Sequence, residues 1–312
     1  MDINKIILKL SLINTGIKER FLKIVILSGA VGEVEESPSQ RRFFIRFRMT
    51  LLYTEVIMGK FDGILIATDL DQTLAIGDNV AKENVEAIQY FQQEGGLFTL
   101  ATGRYISHIE DYFSDKITPN CSILTVNGNV ICDEKTHEPT VLSELDKEIT
   151  SDILNYSHKN HSQNILFVNV CDWNESYKYE GNVLQDTCKC VFVMETEESA
   201  IKLRDDLKEN YSHVINVERS WPVGVEIYAK DGGKGKALDY IRHNSHYPID
   251  TIICAGDYEN DISMLKYADI GFAVKNATEE AKEAADIVCP VSCTEGAIAW
   301  IINKLDKEGI NK

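Results

Sequence analysis

A chain of 312 residues is long enough for one large domain or two of ordinary size, each with a buried core. Hydrophobic residues make up 44% and charged residues 26%, which excludes a disordered composition, and no apolar run reaches the roughly 20 residues of a membrane-spanning helix. The net charge of −17 is uneven: residues 1–58 hold nine Lys/Arg against six Asp/Glu, so residues 59–312 carry 23 against 43 and repel nucleic acid at long range.

Residues 1–58 lack helical periodicity. Gly-Ala-Val-Gly at 29–32, acids at Glu33, Glu35 and Glu36, Ser37-Pro38-Ser39 and a basic run from Arg41 to Arg48 predict a poorly structured extension. An upstream translated segment with the natural start at Met58, or a basic partner-binding arm, accounts for it. The short apolar stretches Ile6–Ile13 and Phe21–Leu27 are interrupted by Lys9 and Lys23 and lack a cleavage signature, so a cytoplasmic protein is expected. The eight cysteines form no C-x-x-C pair, which fits reduced thiols used as small apolar residues.

From residue 59 the text alternates strands and helices. Ile64–Thr68 is a short continuous apolar run, as a strand covered on both faces requires. Ala81, Val85, Ile88 and Phe91 follow at helical spacing, with Gly95-Gly96 as the stop. Leu97–Ala101 reads as a strand, Ile106–Phe113 as a helix and Ile123–Val126 as a strand. The same grammar returns late, with helices at Lys236–Ile241, Ile262–Ala268, Ala277–Ala285 and Ala297–Leu305 and strands at Thr251–Ala255, Gly271–Val274 and Ile287–Cys289. This is an α/β pattern, a doubly wound parallel sheet of Rossmann-like type. Between its halves, 59–137 and 232–312, residues 138–231 read as an inserted α+β cap. Its strands are expected at Asn164–Asp172, Lys189–Glu195, Val214–Glu218 and Gly224–Ala229, with a helix carrying Ala200, Leu203, Leu207 and Tyr211.

Open parallel sheets bind ligands beyond the carboxyl ends of their strands. Those positions hold Asp69-Leu70-Asp71-Gln72-Thr73, Thr102-Gly103-Arg104, Asn127-Gly128 and Gly256-Asp257-Tyr258-Glu259-Asn260-Asp261, with Gly233-Lys234-Gly235 just after the insert. Carboxylates brought so close repel one another unless a cation joins them, and an all-oxygen donor set at Asp69, Asp71, Asp257 and Asp261 favours magnesium. A phosphate bridging that ion would be held by Lys234 and the Thr102 hydroxyl. A carboxylate attacking in line gives a labile acyl phosphate that water hydrolyses, while a second Asp moves the proton.

These four signatures, Asp69-x-Asp71-x-Thr73, Thr102-Gly-Arg, Lys234-Gly-x-Ala-Leu and Gly256-Asp257-x-x-Asn260-Asp261-x-x-Met264-Leu265, resemble those of the haloacid dehalogenase superfamily. A cap between the second and third resembles the type II cap of Cof-type, subfamily IIB sugar-phosphatase-like proteins. The resemblance covers nearly all of residues 60–305. It implies Asp69 as nucleophile, Asp71 as general acid and base, and Thr102 and Lys234 as phosphate binders. It also implies magnesium on the Asp69 and Asp257 carboxylates and the Asp71 carbonyl, supported by Asn260 and Asp261. Thr73, Gly103, Arg104, Asn127, Gly128 and Asn260 are the expected substrate contacts. Position 72, usually glycine in these families, is Gln72 here.

The expected partner is a small phosphorylated metabolite, with no nucleic acid or membrane and the oligomeric state left open. Other features read more blandly. His158, His161, His243 and His246 are expected at the solvated surface and Asn276 as a helix cap. Trp173, Tyr177, Tyr179 and Trp221 divide between cap core and substrate wall, and Arg219 is a candidate for a substrate anion. A phosphomutase on the same core, which needs cations on the cap for a second phosphate, and a phosphate sensor without turnover are the alternatives.

Overall fold

The computed structural model describes residues 59–110 and 117–309, together with the backbone of four short upstream strands. Upstream, β1 (Ser11–Ile13) pairs antiparallel with β2 (Phe21–Lys23), and β3 (Ala30–Glu33) with β4 (Phe44–Phe47), within a unit spanning Met1–Gly59. The extension expected over residues 1–58 otherwise lies outside the described residues. No helix among the described residues is long and apolar enough to cross a membrane.

The unit Lys60–Lys312 is organised around β5 (Ile64–Thr68), which is buried along its whole length. A two-residue hairpin follows, β6 (Ala75–Ile76) with β7 (Asn79–Val80), and then α1 (Lys82–Gln93) leads to β8 (Leu97–Leu100). After the insert come β17 (Thr251–Gly256), β18 (Ile270–Ala273) and β19 (Ile287–Val288). The five strands form a parallel sheet in the order β19-β18-β17-β5-β8.

Side chains on a strand alternate between faces, and each face of this sheet has its own apolar layer. Ile64, Ile66, Phe98, Leu100, Ile253 and Phe272 pack with residues of α1 and of α7 (Ala297–Glu308). Leu65, Ala67, Ile252 and Cys254 pack with residues of α4 (Lys234–Asn244), α5 (Ile262–Tyr267) and α6 (Glu279–Ala284). A small antiparallel sheet, β9 (Ile123–Thr125), β10 (Val130–Cys132) and β11 (Pro139–Val141), joins the large one through a parallel bridge from Leu124 to Ala101. Pro139–Val141 therefore extends this small sheet and stands apart from the strands of the insert.

The insert is antiparallel throughout, in the order β13 (Ser176–Lys178), β12 (Ile165–Cys171), β14 (Lys189–Met194), β16 (Gly224–Ala229), β15 (Ile215–Trp221). One face carries Val168, Val170, Cys190, Phe192, Val225 and Ile227, packed with residues of α2 (Lys147–His161) and α3 (Glu197–Tyr211). Both helices are capped at their N-termini. The Asp146 carboxylate accepts from the amides of Glu148 and Ile149, and the Thr196 hydroxyl accepts from that of Ser199. The alternate residues Lys189, Val191 and Glu226 therefore face the other way and line a cavity of about 640 Å³.

Three expectations need correction. Of the helix expected over Ile106–Phe113, the described part is 3₁₀ rather than α, a turn at Ile106–His108 followed by buried Ile109 and a further 3₁₀ residue at Glu110, while residues 111–116 lie outside the described residues. Asn276 does not cap α6; the Thr278 hydroxyl does, accepting from the Ala281 amide. His161 is buried rather than solvated, because its Nε2 meets the Asp206 carboxylate of α3 at 2.7 Å.

Candidate active site

The chain leaves β5 for β8 on one side and returns through β17 on the other, so a crevice opens between the carboxyl ends of β5 and β17. Asp69 follows β5 directly, and its amide still donates to the Ala255 carbonyl of β17 at 2.9 Å. Asp257 and Asp261 follow β17. Lys234 opens α4. All four are buried, Lys234 completely.

Lys234 Nζ donates to Asp69 Oδ1 and to Asp261 Oδ1, both at 2.6 Å. The other Asp261 oxygen accepts from the amides of Asp257 (2.8 Å) and Tyr258 (3.1 Å), closing the loop on itself. Gly256 is required here, since a Cβ on it would lie 2.5 Å from that of Asp261. The Thr73 hydroxyl donates to Asp257 Oδ1 at 2.6 Å and so ties the loop after β5 to the loop after β17. One carboxylate oxygen from each of Asp69, Asp257 and Asp261 falls within 4.8 Å of the others.

Burial raises the Asp69 carboxyl well above the usual carboxylate range; Lys234 opposes the shift, and Asp261 and Asp257 add to it. Asp257 is pushed up to about 7, by burial first and by Asp261 next. Lys234 loses charge stability by burial but gains more from Asp261 and Asp69, so its ammonium is held above its ordinary range. Three ionised carboxylates against one ammonium leave two negative charges in a buried space. A divalent cation with a preference for oxygen fits that deficit.

The remaining expected residues are placed as follows. The Asp71 carboxylate lies outside the cluster, at the cavity wall, where Arg104 grips it through Nε (2.8 Å) and a terminal nitrogen (2.5 Å). Thr102 is fully buried, and its hydroxyl accepts from the Arg104 amide at 3.1 Å. Gly103 and Asn260 line the cavity. Asn127 is buried and its amide donates to Glu226 of the insert, while its oxygen faces the Asn260 amide at 3.4 Å. Gly128 instead packs on the start of α4, where a Cβ would come within 2.9 Å of the Gly233 carbonyl, and lines a separate groove.

Gln72 sits in the left-handed region with φ +67°, a backbone state that costs a residue with a Cβ about 1 kcal/mol relative to glycine. Its amide donates to the Ala75 carbonyl, and its carbonyl accepts from the Asn276 side chain, both at 2.8 Å.

Some cavity residues escape the motif reading. Lys189 Nζ donates to the Gly103 carbonyl and to Glu226, each at 3.0 Å. Their signal in the sequence is a charge inside an otherwise apolar strand, Lys189 before Cys-Val-Phe-Val-Met and Glu226 between Val225 and Ile227. Trp221 lines the cavity, Tyr177 and Tyr179 pack on the insert core, and Trp173 is exposed. Arg219, a candidate for a substrate anion, is instead committed to Glu259 (2.7 Å) and Glu197 (3.0 Å).

Comparison with known proteins gives the family and the fold. The chain matches the haloacid dehalogenase-like hydrolase family over residues 66–182 and 173–302. It is 25% identical to the 5-amino-6-(5-phospho-D-ribitylamino)uracil phosphatase YcsE of Bacillus subtilis, over 74% of this chain and 92% of that protein. Its fold is shared with a haloacid dehalogenase-like hydrolase of Bacillus subtilis, with a TM-score of 0.67, 21% identity, and coverage of 77% of this chain and 99% of that one. A subclass IIB sugar phosphatase matches with a TM-score of 0.64 and 20% identity, over 78% of this chain and 98% of that one. The family match and its phosphatase relatives place the chain among phosphoric monoester hydrolases, and its fold joins a parallel core to an inserted antiparallel cap. The chain belongs to the haloacid dehalogenase-like hydrolase family. Its fold is also shared with a HAD/COF-like hydrolase of Plasmodium vivax, with a TM-score of 0.67 and 22% identity over 79% of this chain and 97% of that one.

Proposed function

We propose that the protein is a magnesium-dependent phosphatase of a small monophosphate whose leaving group is neutral and polar, such as a sugar or polyol phosphate. The observation that carries this reading is the convergence of Asp69, Asp257 and Asp261 around Lys234 at the base of the cavity. Magnesium would be held by the Asp69 and Asp257 carboxylates with the Asp71 carbonyl, supported by Asp261 and Asn260. When bound it would neutralise phosphate charge and hold the phosphate in place.

This chain's own residues then divide the work. Asp69 is the nucleophile: its free carboxylate oxygen attacks phosphorus, the bond to the leaving oxygen breaks, and an aspartyl phosphate forms. Asp71, half-exposed at the cavity wall and oriented by Arg104, gives its proton to the leaving alkoxide. It then takes a proton from the water that splits the acyl phosphate and regenerates Asp69. Lys234, with the Thr102 hydroxyl, balances the phosphate oxygens.

The charge pattern of the wall supports a phosphatase over a phosphomutase. Among the described residues, the arginine and lysine lining the cavity are each already paired, Arg104 with Asp71 and Lys189 with Glu226. On the insert, where a second phosphate would have to be gripped, the one cavity-lining arginine or lysine among the described residues, Lys189, is therefore committed to Glu226. The ribityl phosphate named for the Bacillus subtilis relative has the matching character, one phosphate on a hydroxylated chain.

The test is phosphate release from a panel of sugar, polyol and nucleoside phosphates, with magnesium and then with excess chelator. Magnesium-dependent release from hydroxylated monophosphates is the expected result. Isomerisation of a sugar phosphate without release would favour the mutase, and binding without any product would favour a sensor.

A further inference from the structure

Residue 72 follows the proposed general acid, and both of its backbone polar groups are committed. Its amide donates to the Ala75 carbonyl and its carbonyl accepts from Asn276 Nδ2, both at 2.8 Å. Asn276 is itself anchored, since its side-chain oxygen accepts from the Cys293 amide at 3.0 Å. The left-handed backbone of residue 72 is thus pinned from the far side of the crevice, although φ +67° suits glycine better than glutamine. What glutamine adds over glycine is a carboxamide. That side chain is exposed, lines the cavity together with Asp71, Asn276 and Thr278, and makes no side-chain hydrogen bond among the described residues.

We propose that Gln72 is a specificity-determining residue whose carboxamide binds the leaving group of the substrate, and that Asn276 is the positioning residue that holds it there. The inference rests on the phosphatase reading above. A carboxamide offers two donors and two acceptor lone pairs without charge, so it pairs with a hydroxyl or an amide and gains little from an alkyl or aryl edge. The position, uncharged and beside the proposed general acid Asp71, therefore favours a leaving group carrying a hydroxyl or amide near its phosphate ester. A strained backbone retained for a side chain without a protein partner is what a ligand contact requires, whereas a purely structural turn would be served better by glycine.

The experiment compares the full chain with Gln72→Gly and Asn276→Ala, in magnesium, on ribitol 5-phosphate, glucose 6-phosphate and p-nitrophenyl phosphate. The quantity read is the ratio of kcat/KM for the better hydroxylated substrate to that for p-nitrophenyl phosphate. Gln72→Gly is expected to lower this ratio about tenfold, mostly through KM, the loss of one hydrogen bond to substrate. Asn276→Ala, which keeps the carboxamide but loosens its backbone, is expected to lower it by a smaller factor, about threefold. Glycine tolerates the backbone at position 72, so Gln72→Gly should melt at or above the parent and loss of fold should not imitate the effect.

A ratio unchanged within about twofold in Gln72→Gly, with the parent active, would overturn the role of Gln72 and leave the phosphatase reading standing. A parent that releases phosphate from none of the three would overturn both. An equal loss on all three substrates would make Gln72 part of the general machinery, and would also defeat the proposal.

Discussion

At the floor of the cavity, Asp69, Asp257, Asp261 and Lys234 come from the ends of β5 and β17 and the start of α4, and their formal charges do not cancel. At its roof, Lys189 and Glu226 come from adjacent antiparallel strands, pair with each other at 3.0 Å, and are completed by Gly103 and Asn127 of the core. The floor is left short of positive charge, a deficit that a divalent cation would meet. The roof is balanced within the protein. Dependence on a cation should therefore be a property of the floor, while the roof should act through shape and hydrogen bonding.

The largest test of that division is Asp69→Asn. It removes the attacking oxygen while keeping shape, so magnesium-dependent turnover should fall at least about a thousandfold with the fold intact, read by phosphate release and melting temperature. Retention of full turnover would mean that the floor is not where phosphate is attacked.

A second test strikes where insert and core are clamped together. Glu259, buried in the loop between Asp257 and Asp261, accepts from Arg204 of α3 and Arg219 of β15. Glu259→Gln leaves two largely buried guanidinium groups without their shared carboxylate, a loss of about 3 kcal/mol of stability. The same change should raise the magnesium concentration needed for half-maximal turnover, because residue 259 lies in the loop that places Asp257, Asn260 and Asp261. An unchanged melting temperature would show that Arg204 and Arg219 are satisfied by Asp205 and Glu197 alone.

The pH dependence sharpens the contrast further. Asp257 is pushed up to about 7 from an ordinary 3.8, by burial first and then by Asp261. Its folded form holds a proton that the unfolded chain has released, so this contribution is fully present below pH 3.8 and is lost as pH rises through 7. Asp69, also raised, acts in the same direction. Magnesium should therefore raise the melting temperature more at pH 8 than at pH 5.5, by the equivalent of a few kcal/mol at most. Equal shifts at the two pH values would place the ion away from these carboxylates.

Half of the floor was legible in the sequence because Asp69 and Asp257 each follow a short apolar run that reads as a covered strand, Ile64–Ala67 and Ile252–Ala255, whereas Asp261 and Lys234 were read from their motifs. What hid the rest was pairing across long separations. Arg219 reads as a free cation until Glu259, 40 residues later, folds onto it, and His161 reads as surface until Asp206 does the same. The helix α2 is masked differently. Thr150, Ser157 and His161 are buried alongside Ile153 and Leu154, so polar residues fill its inward face and blur the periodicity. Only the cap at Asp146 marks its start. Over Ile106–Glu110 the opposite happens, since helical spacing is met by 3₁₀ geometry around buried Ile109.

The smallest effect isolates the insert from the chemistry. Thr196 caps α3 on the face of the insert away from the cavity lining, and its hydroxyl and Ser199 satisfy each other's backbone amides. Thr196→Ala should cost about 1 kcal/mol of stability, read as a lower denaturation midpoint. Because Lys189 and Glu226 lie on β14 and β16, held by the sheet and by Gly103 and Asn127, kcat/KM should stay within about twofold of the parent. A larger fall in kcat/KM would mean that α3 transmits its order to the roof, most directly through Arg204 and its hold on Glu259, and the separation of roof from floor would then have to give way to a single coupled unit.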